Sequence, residues 1–160
     1  MDADKRGLEL KKVLWPTDFS SNAQKALPYI TSLTMKYGAE IHMLYVIEDM
    51  VQHLSWYGEF DTAQVDKLME WAKKSAEGRL NQICDKYLEG CPLYINHIAV
   101  GDPAQEILKL VNKEKIDLVV MATQGEKGLF RFGSVTYKVL KRSPVPVTTI
   151  PVNREKISGT

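Results

Sequence analysis

The sequence predicts an α/β protein with a parallel β-sheet layered between helices. Three observations predict it. Short apolar runs alternate along the chain with longer stretches whose apolar residues recur at helical spacing. Several of those runs are apolar throughout, as in strands covered on both faces. Pro, Gly and capping residues fall between the two kinds of segment. Strands alternating with helices imply right-handed crossovers.

Lys12-Val13-Leu14-Trp15-Pro16 reads as the first strand, closed by its proline. Asp18, Ser20 and Ser21 offer caps for a helix carried by Ala23, Ala26, Leu27, Ile30, Leu33, Thr34 and Tyr37, with Gly38 as its stop. Pro28 falls inside this helix and is expected to kink it. The second strand spans Glu40 to Val46, and its apolar run continues to Ile47. Glu48 to Thr62 has no clear period and reads as a loop bearing Trp56, Tyr57 and Phe60. A second helix from about Ala63 to Leu88 carries a stripe of Val65, Leu68, Met69, Ala72, Ala76, Leu80, Ile83 and Tyr87. Leu93 to Val100 is the third strand, and Gly101-Asp102-Pro103 turns the chain into a helix. Ile116 to Ala122 holds the fourth and most apolar strand. A glycine-bearing loop from Thr123 to Gly133 precedes a short helix from Ser134 to Arg142. Lys138, Lys141 and Arg142 suit that helix's negative end. The last strand runs from Val145 to Ile150. Pro146 removes a ladder donor, so this strand belongs at an edge, and an apolar edge invites a partner.

Composition narrows the functional classes. The chain's 160 residues suit one domain with a sizeable core. Twenty-one basic residues against twenty acidic ones argue against duplex nucleic acid or an anionic membrane as the main partner. Cys84 and Cys91 do not form a C-x-x-C pair, and Met1 to Lys12 has no apolar signal-peptide core, so a cytoplasmic location is expected. His42, His53 and His97 show no i, i+4 pairing and no cysteine neighbour, so no metal site is expected. Trp15, Trp56 and Trp71 read as packing residues.

Ligands of open parallel sheets bind beyond the carboxyl ends of the strands, where strand order reverses. Two segments there carry chemistry. Gly125 through Thr136 follows a buried strand and opens a helix. Its glycines let main-chain N–H groups approach phosphate oxygens, and the helix start adds donors and partial positive charge. Ser134 and Thr136 offer hydroxyls, and Lys127 and Arg131 offer charge. An ordinary turn closed by a capping serine is the plainer reading. The second segment is Pro16-Thr17-Asp18, where Asp18 suits ribose hydroxyls, a phosphate-bound metal or a helix cap.

The order and spacing of these segments resemble the universal stress protein family from Lys11 to Val152. The stretches that carry the likeness include Val13-Leu14-Trp15-Pro16-Thr17-Asp18-Phe19-Ser20, His42 through Glu48, Val100 through Ile107, Asp117 through Met121, and Gly133-Ser134-Val135 through Val147. The resemblance implies a single three-layer, Rossmann-like domain of the adenine nucleotide α-hydrolase-like type over 1–160. Its parallel sheet would have five strands in the order 3-2-1-4-5. It implies a homodimer, paired through Val145–Ile150, that binds ATP or another adenine nucleotide together with Mg and serves in stress response.

The family's ATP-binding branch carries Gly-x2-Gly-x9-Gly-Ser/Thr. Here Met121 fits the residue before the first glycine, and Ala122 takes that glycine's place. Gly125 fits the second glycine and Gly133-Ser134 the final pair, but only Glu126 to Phe132 lie between them. Carried over residue by residue, Val46 would meet adenine through its main chain, and Pro16, Thr17 and Asp18 would line the nucleoside. Met121, Ala122, Gly125, Gly133, Ser134, Val135 and Thr136 would surround the phosphates. Gln124 stands where many relatives have a histidine, and Gln is no general base. A nucleotide-binding regulator is therefore the leading expectation. A dimeric interaction module without nucleotide is the alternative, and an ATP hydrolase or adenylyl-transferring enzyme rests on fold analogy alone.

Overall fold

A computed structural model describes residues 7–49, 61–88, 94–124 and 133–152. Five strands, β1 (Lys12–Pro16), β2 (Glu40–Ile47), β3 (Tyr94–Val100), β4 (Leu118–Ala122) and β5 (Val147–Ile150), form one parallel sheet in the order β3-β2-β1-β4-β5. The helices are α1 (Ser21–Gln24), α2 (Leu27–Tyr37), α3 (Thr62–Tyr87), α4 (Pro103–Glu114) and α5 (Ser134–Arg142). The edge position expected for the last strand from Pro146 is the one found for β5.

Because side chains alternate across a strand, the sheet feeds two cores. Val13, Trp15, Ile41, Met43 and Val120 pack under α1, α2 and α3. Leu14, Leu44, Val119 and Met121 pack under α4 and α5. Full burial of each large apolar side chain contributes about 1.5–3 kcal/mol. Trp15 is completely buried, and its indole N–H donates to the Ala23 carbonyl at 3.2 Å, which fixes the start of α1 against β1.

Three expectations need correction. The kinked helix expected around Pro28 is two helices. Pro28 stands in the first turn of α2 and so costs no helical hydrogen bond, and the break falls at Lys25 and Ala26. The second is Trp71, expected to pack but 67% exposed, with Leu68 beside it 49% exposed. Twenty-six residues of helix extend about 39 Å, and eight of strand about 27 Å, so α3 outruns the sheet it covers. The third concerns two strand starts. Ile116 and Asp117 form the exit from α4, whose cap Lys115 takes left-handed angles, so β4 begins at Leu118. Ser143 holds Val145 in a turn through its hydroxyl, so β5 begins after Pro146.

Cys84 is buried and forms no disulfide among the described residues, and Cys91 lies outside them. The loop with Trp56, Tyr57 and Phe60 lies outside them too. No helix among the described residues is long and apolar enough to cross a membrane.

Candidate functional site

Strand order reverses at β1, which β2 flanks on one side and β4 on the other. The crevice therefore opens beyond Pro16 and Ala122. On the β1 side, the Thr17 N–H donates to the Leu44 carbonyl at 2.9 Å and carries the ladder one residue past the strand. The buried Thr17 hydroxyl accepts from the Phe19 N–H at 3.0 Å, and the exposed Asp18 carboxylate accepts from the Ser20 N–H at 2.9 Å. Ser20 rather than Asp18 caps α1, accepting from the Ala23 N–H.

Phe19 has φ 64°, a left-handed conformation that a bulky residue occupies at a cost of about 1–2 kcal/mol. Packing offsets the strain. The Phe19 ring lies 4.4 Å from that of Tyr45, and the Arg79 guanidinium stands 4.2 Å over its face. The reversed backbone sends Phe19 down into the core and leaves Asp18 at the rim.

On the β4 side, the Gly133 N–H donates to the Thr123 carbonyl at 2.8 Å. Thr123 and Gly133 are thus held side by side at the end of β4. Gly133 is the N-cap of α5, with φ −62° and ψ 154°, and as a glycine it has no side chain to cap the helix. Its first-turn N–H groups, from Ser134 and Val135, face the mouth beside an exposed Ser134 side chain. Thr136 differs from its expected role. It is buried, and its hydroxyl donates to the Ala122 carbonyl at 3.1 Å, so the hydroxyl ties α5 to β4 instead of reaching toward a ligand. Met121 and Ala122 are buried as well. Gly125, Lys127 and Arg131 lie outside the described residues.

Val46 completes the rim. The Leu44 carbonyl accepts from Thr17 and the Ile47 carbonyl from Gly101, so even-numbered residues of β2 aim their main chain at β1 and odd-numbered ones at β3. At Val46, β1 has already turned away, which leaves one N–H and one C=O directed over the crevice. Alternation along a strand makes this legible only once the register is known.

Beside the crevice, on the α3 side, lies a cavity of about 320 Å³ lined among the described residues by Phe19, Tyr45, Ile47, Met69, Trp71 and Arg79. The sequence reading did not single out Tyr45 or Arg79. Their signal was an aromatic on a strand and a cation on a helix, which only the packing brings together. Among the described residues, no group of three His, Cys, Asp or Glu side chains is placed to hold a metal.

The model of the universal stress protein family matches residues 9–151. Universal stress protein MJ0577 of Methanocaldococcus jannaschii is 31% identical, over 88% of this chain and 94% of its own. The solved structure of that protein superposes with a TM-score of 0.77 at 27% identity, covering 92% of this chain and 99% of that one. UspA from Lactobacillus plantarum shares the fold, with a TM-score of 0.73 at 23% identity over 90% and 99% of the two chains. The fold also recurs in a universal stress protein solved in complex with cAMP and in one from Arabidopsis thaliana solved with AMP bound. By its sequence motifs, its sheet order and the match along almost all of its length, this chain belongs to the universal stress protein family.

Proposed function

We propose that this chain binds an adenine nucleotide across the β1–β4 crevice and acts as a homodimeric, cytoplasmic stress-response regulator rather than as an enzyme. The observation that carries the reading is the start of α5 at Gly133, a cap residue with no side chain of its own to cover the helix donors. It is held to the end of β4 by the Gly133–Thr123 and Thr136–Ala122 hydrogen bonds. Main-chain donors behind a glycine cap and the positive end of a helix dipole suit an anion such as a polyphosphate. Across the crevice, Asp18 offers carboxylate oxygen to ribose hydroxyls, and Pro16 and Thr17 form the wall beneath. The adjacent donor and acceptor of Val46 match the donor–acceptor edge of adenine, which pairs an exocyclic amine with a ring nitrogen. ATP with Mg is the ligand that uses every part of the crevice. The cAMP and AMP complexes of two distant proteins of this fold support the nucleoside half of the reading.

Denatured, freshly purified protein should release AMP, ADP or ATP to mass spectrometry, and apoprotein should give a calorimetric response to Mg-ATP. Absence of both, at millimolar ligand, refutes the reading. Ala122 favours a second reading, an interaction module that holds no nucleotide, because a methyl stands where the ATP-binding branch has a glycine. Ala122→Gly combined with two residues restored to the loop gains binding under that reading and changes nothing under the first.

A further inference from the structure

Two histidines take no part in the crevice, and they meet on the sheet face covered by α4. In the β2–β3 register His42 stands opposite Ile95 and Leu44 opposite His97, so the two imidazoles are diagonal neighbours. His42 is fully buried. Its Nδ1 lies 2.9 Å from Nε2 of His97, and its Nε2 lies 3.2 Å from Oε2 of Glu40. The ring centroids are 5.1 Å apart and the planes 9° from parallel.

The partners dictate where the hydrogens sit. An ionised Glu40 only accepts, so the His42 Nε2 carries its hydrogen. The His42 Nδ1 is then an acceptor, and the His97 Nε2 donates to it. One added proton fits, on the Nδ1 of His97, with every bond of the chain kept. A second has only the His42 Nδ1 left. There it would face another N–H across 2.9 Å and place two imidazolium rings side by side.

We propose that Glu40, His42 and His97 form an acid-sensitive latch that holds the edge strand β3 to β2, and that proton uptake beyond one at this pair releases the strand. Among the described strands β2 alone pairs with β3. Among the described residues, the charged groups facing the pair are Glu40 on β2, Lys12 on β1 opposite Glu40, and Lys113 and Glu114 on α4. The Lys12 ammonium is directed to the Glu114 carbonyl at 3.0 Å. Burial, and after it the neighbouring His42, lowers the pKa of His97 below the ordinary 6.5, Lys113 adding to the effect and Glu114 opposing it. The sign follows: a lowered folded value gives stability that is complete above pH 6.5 and is lost as the pH falls below it.

The test is urea unfolding of the full chain from pH 7.5 to 5.0, beside His42→Gln, whose amide oxygen accepts from the His97 Nε2 and whose amide nitrogen donates to Glu40, so that the remaining imidazole takes its proton on Nδ1 with every bond kept. Each proton that only the unfolded chain accepts lowers the folding constant by up to about tenfold per pH unit. The unaltered protein should lose that factor below pH 6.5 relative to His42→Gln, and the main-chain amides of β3 should exchange with deuterium before those of β1 and β4. Nitrogen NMR of the unaltered protein should show one imidazole of the pair staying neutral until the chain unfolds. Equal pH slopes in the two proteins, or two imidazoles that both titrate while β3 stays protected, overturn the proposal.

Discussion

Thr136→Val separates a strut from a ligand contact. The buried Thr136 hydroxyl donates to the Ala122 carbonyl at 3.1 Å and joins the first turn of α5 to the last residue of β4. Valine keeps the shape, replaces the hydroxyl by a methyl and leaves that carbonyl short of a partner. A net hydrogen bond is worth about 0.5–1.5 kcal/mol, and a buried group left unpaired costs about 1–3 kcal/mol. A loss of about 1–2 kcal/mol is therefore expected, a fall in Tm of about 3–6 °C for a chain of this size. Thr136→Ser keeps the bond and loses one buried methyl, about 0.8 kcal/mol. Urea unfolding measures both, and titration calorimetry with Mg-ATP measures what happens at the crevice. Affinity should change less than about threefold, since under the proposed reading the ligand meets the main chain of α5 and not this hydroxyl. An unchanged unfolding midpoint with affinity reduced tenfold or more would refute the assignment and restore Thr136 as a phosphate contact.

Other perturbations probe other parts of the structure. Asp18→Ala removes an exposed carboxylate that accepts from the Ser20 N–H, and stability should fall by about 1 kcal/mol. Nucleotide affinity should fall at least about tenfold, the worth of a charge-assisted hydrogen bond, and equal calorimetric affinity would remove Asp18 from the site. In β5 the carbonyls of Pro146 and Ile150 face β4, so alternation turns the Thr149 N–H outward. Thr149→Pro should leave the β4–β5 ladder in place and convert a dimer paired through Val145–Ile150 into a monomer in sedimentation; an unaltered dimer places the interface elsewhere. Leu80→Ala, at a completely buried position of α3, should cost about 2–5 kcal/mol in urea unfolding. A cost below about 1 kcal/mol would mean that the α3 face of the sheet is not a close-packed core.

What the sequence determined by itself was local. Val13-Leu14-Trp15 announced a buried strand, Gly38 a helix stop that the structure shows at φ 64°, and Gly133-Ser134 the start of α5, because propensity, capping and turn chemistry act within a few residues. Pro146 even placed the last strand at an edge, since a missing N–H is a local fact with a consequence for the whole sheet. The tertiary structure decided whatever depends on register and packing. Residues 55 apart, His42 and His97, share a hydrogen bond only because of how β3 slides along β2. Val46 aims its main chain over the crevice only because β1 ends where it does. Thr136 turns its hydroxyl inward because a helix start docks on a strand end. A one-residue slip reverses the face of every side chain in a strand, and no local preference encodes that choice.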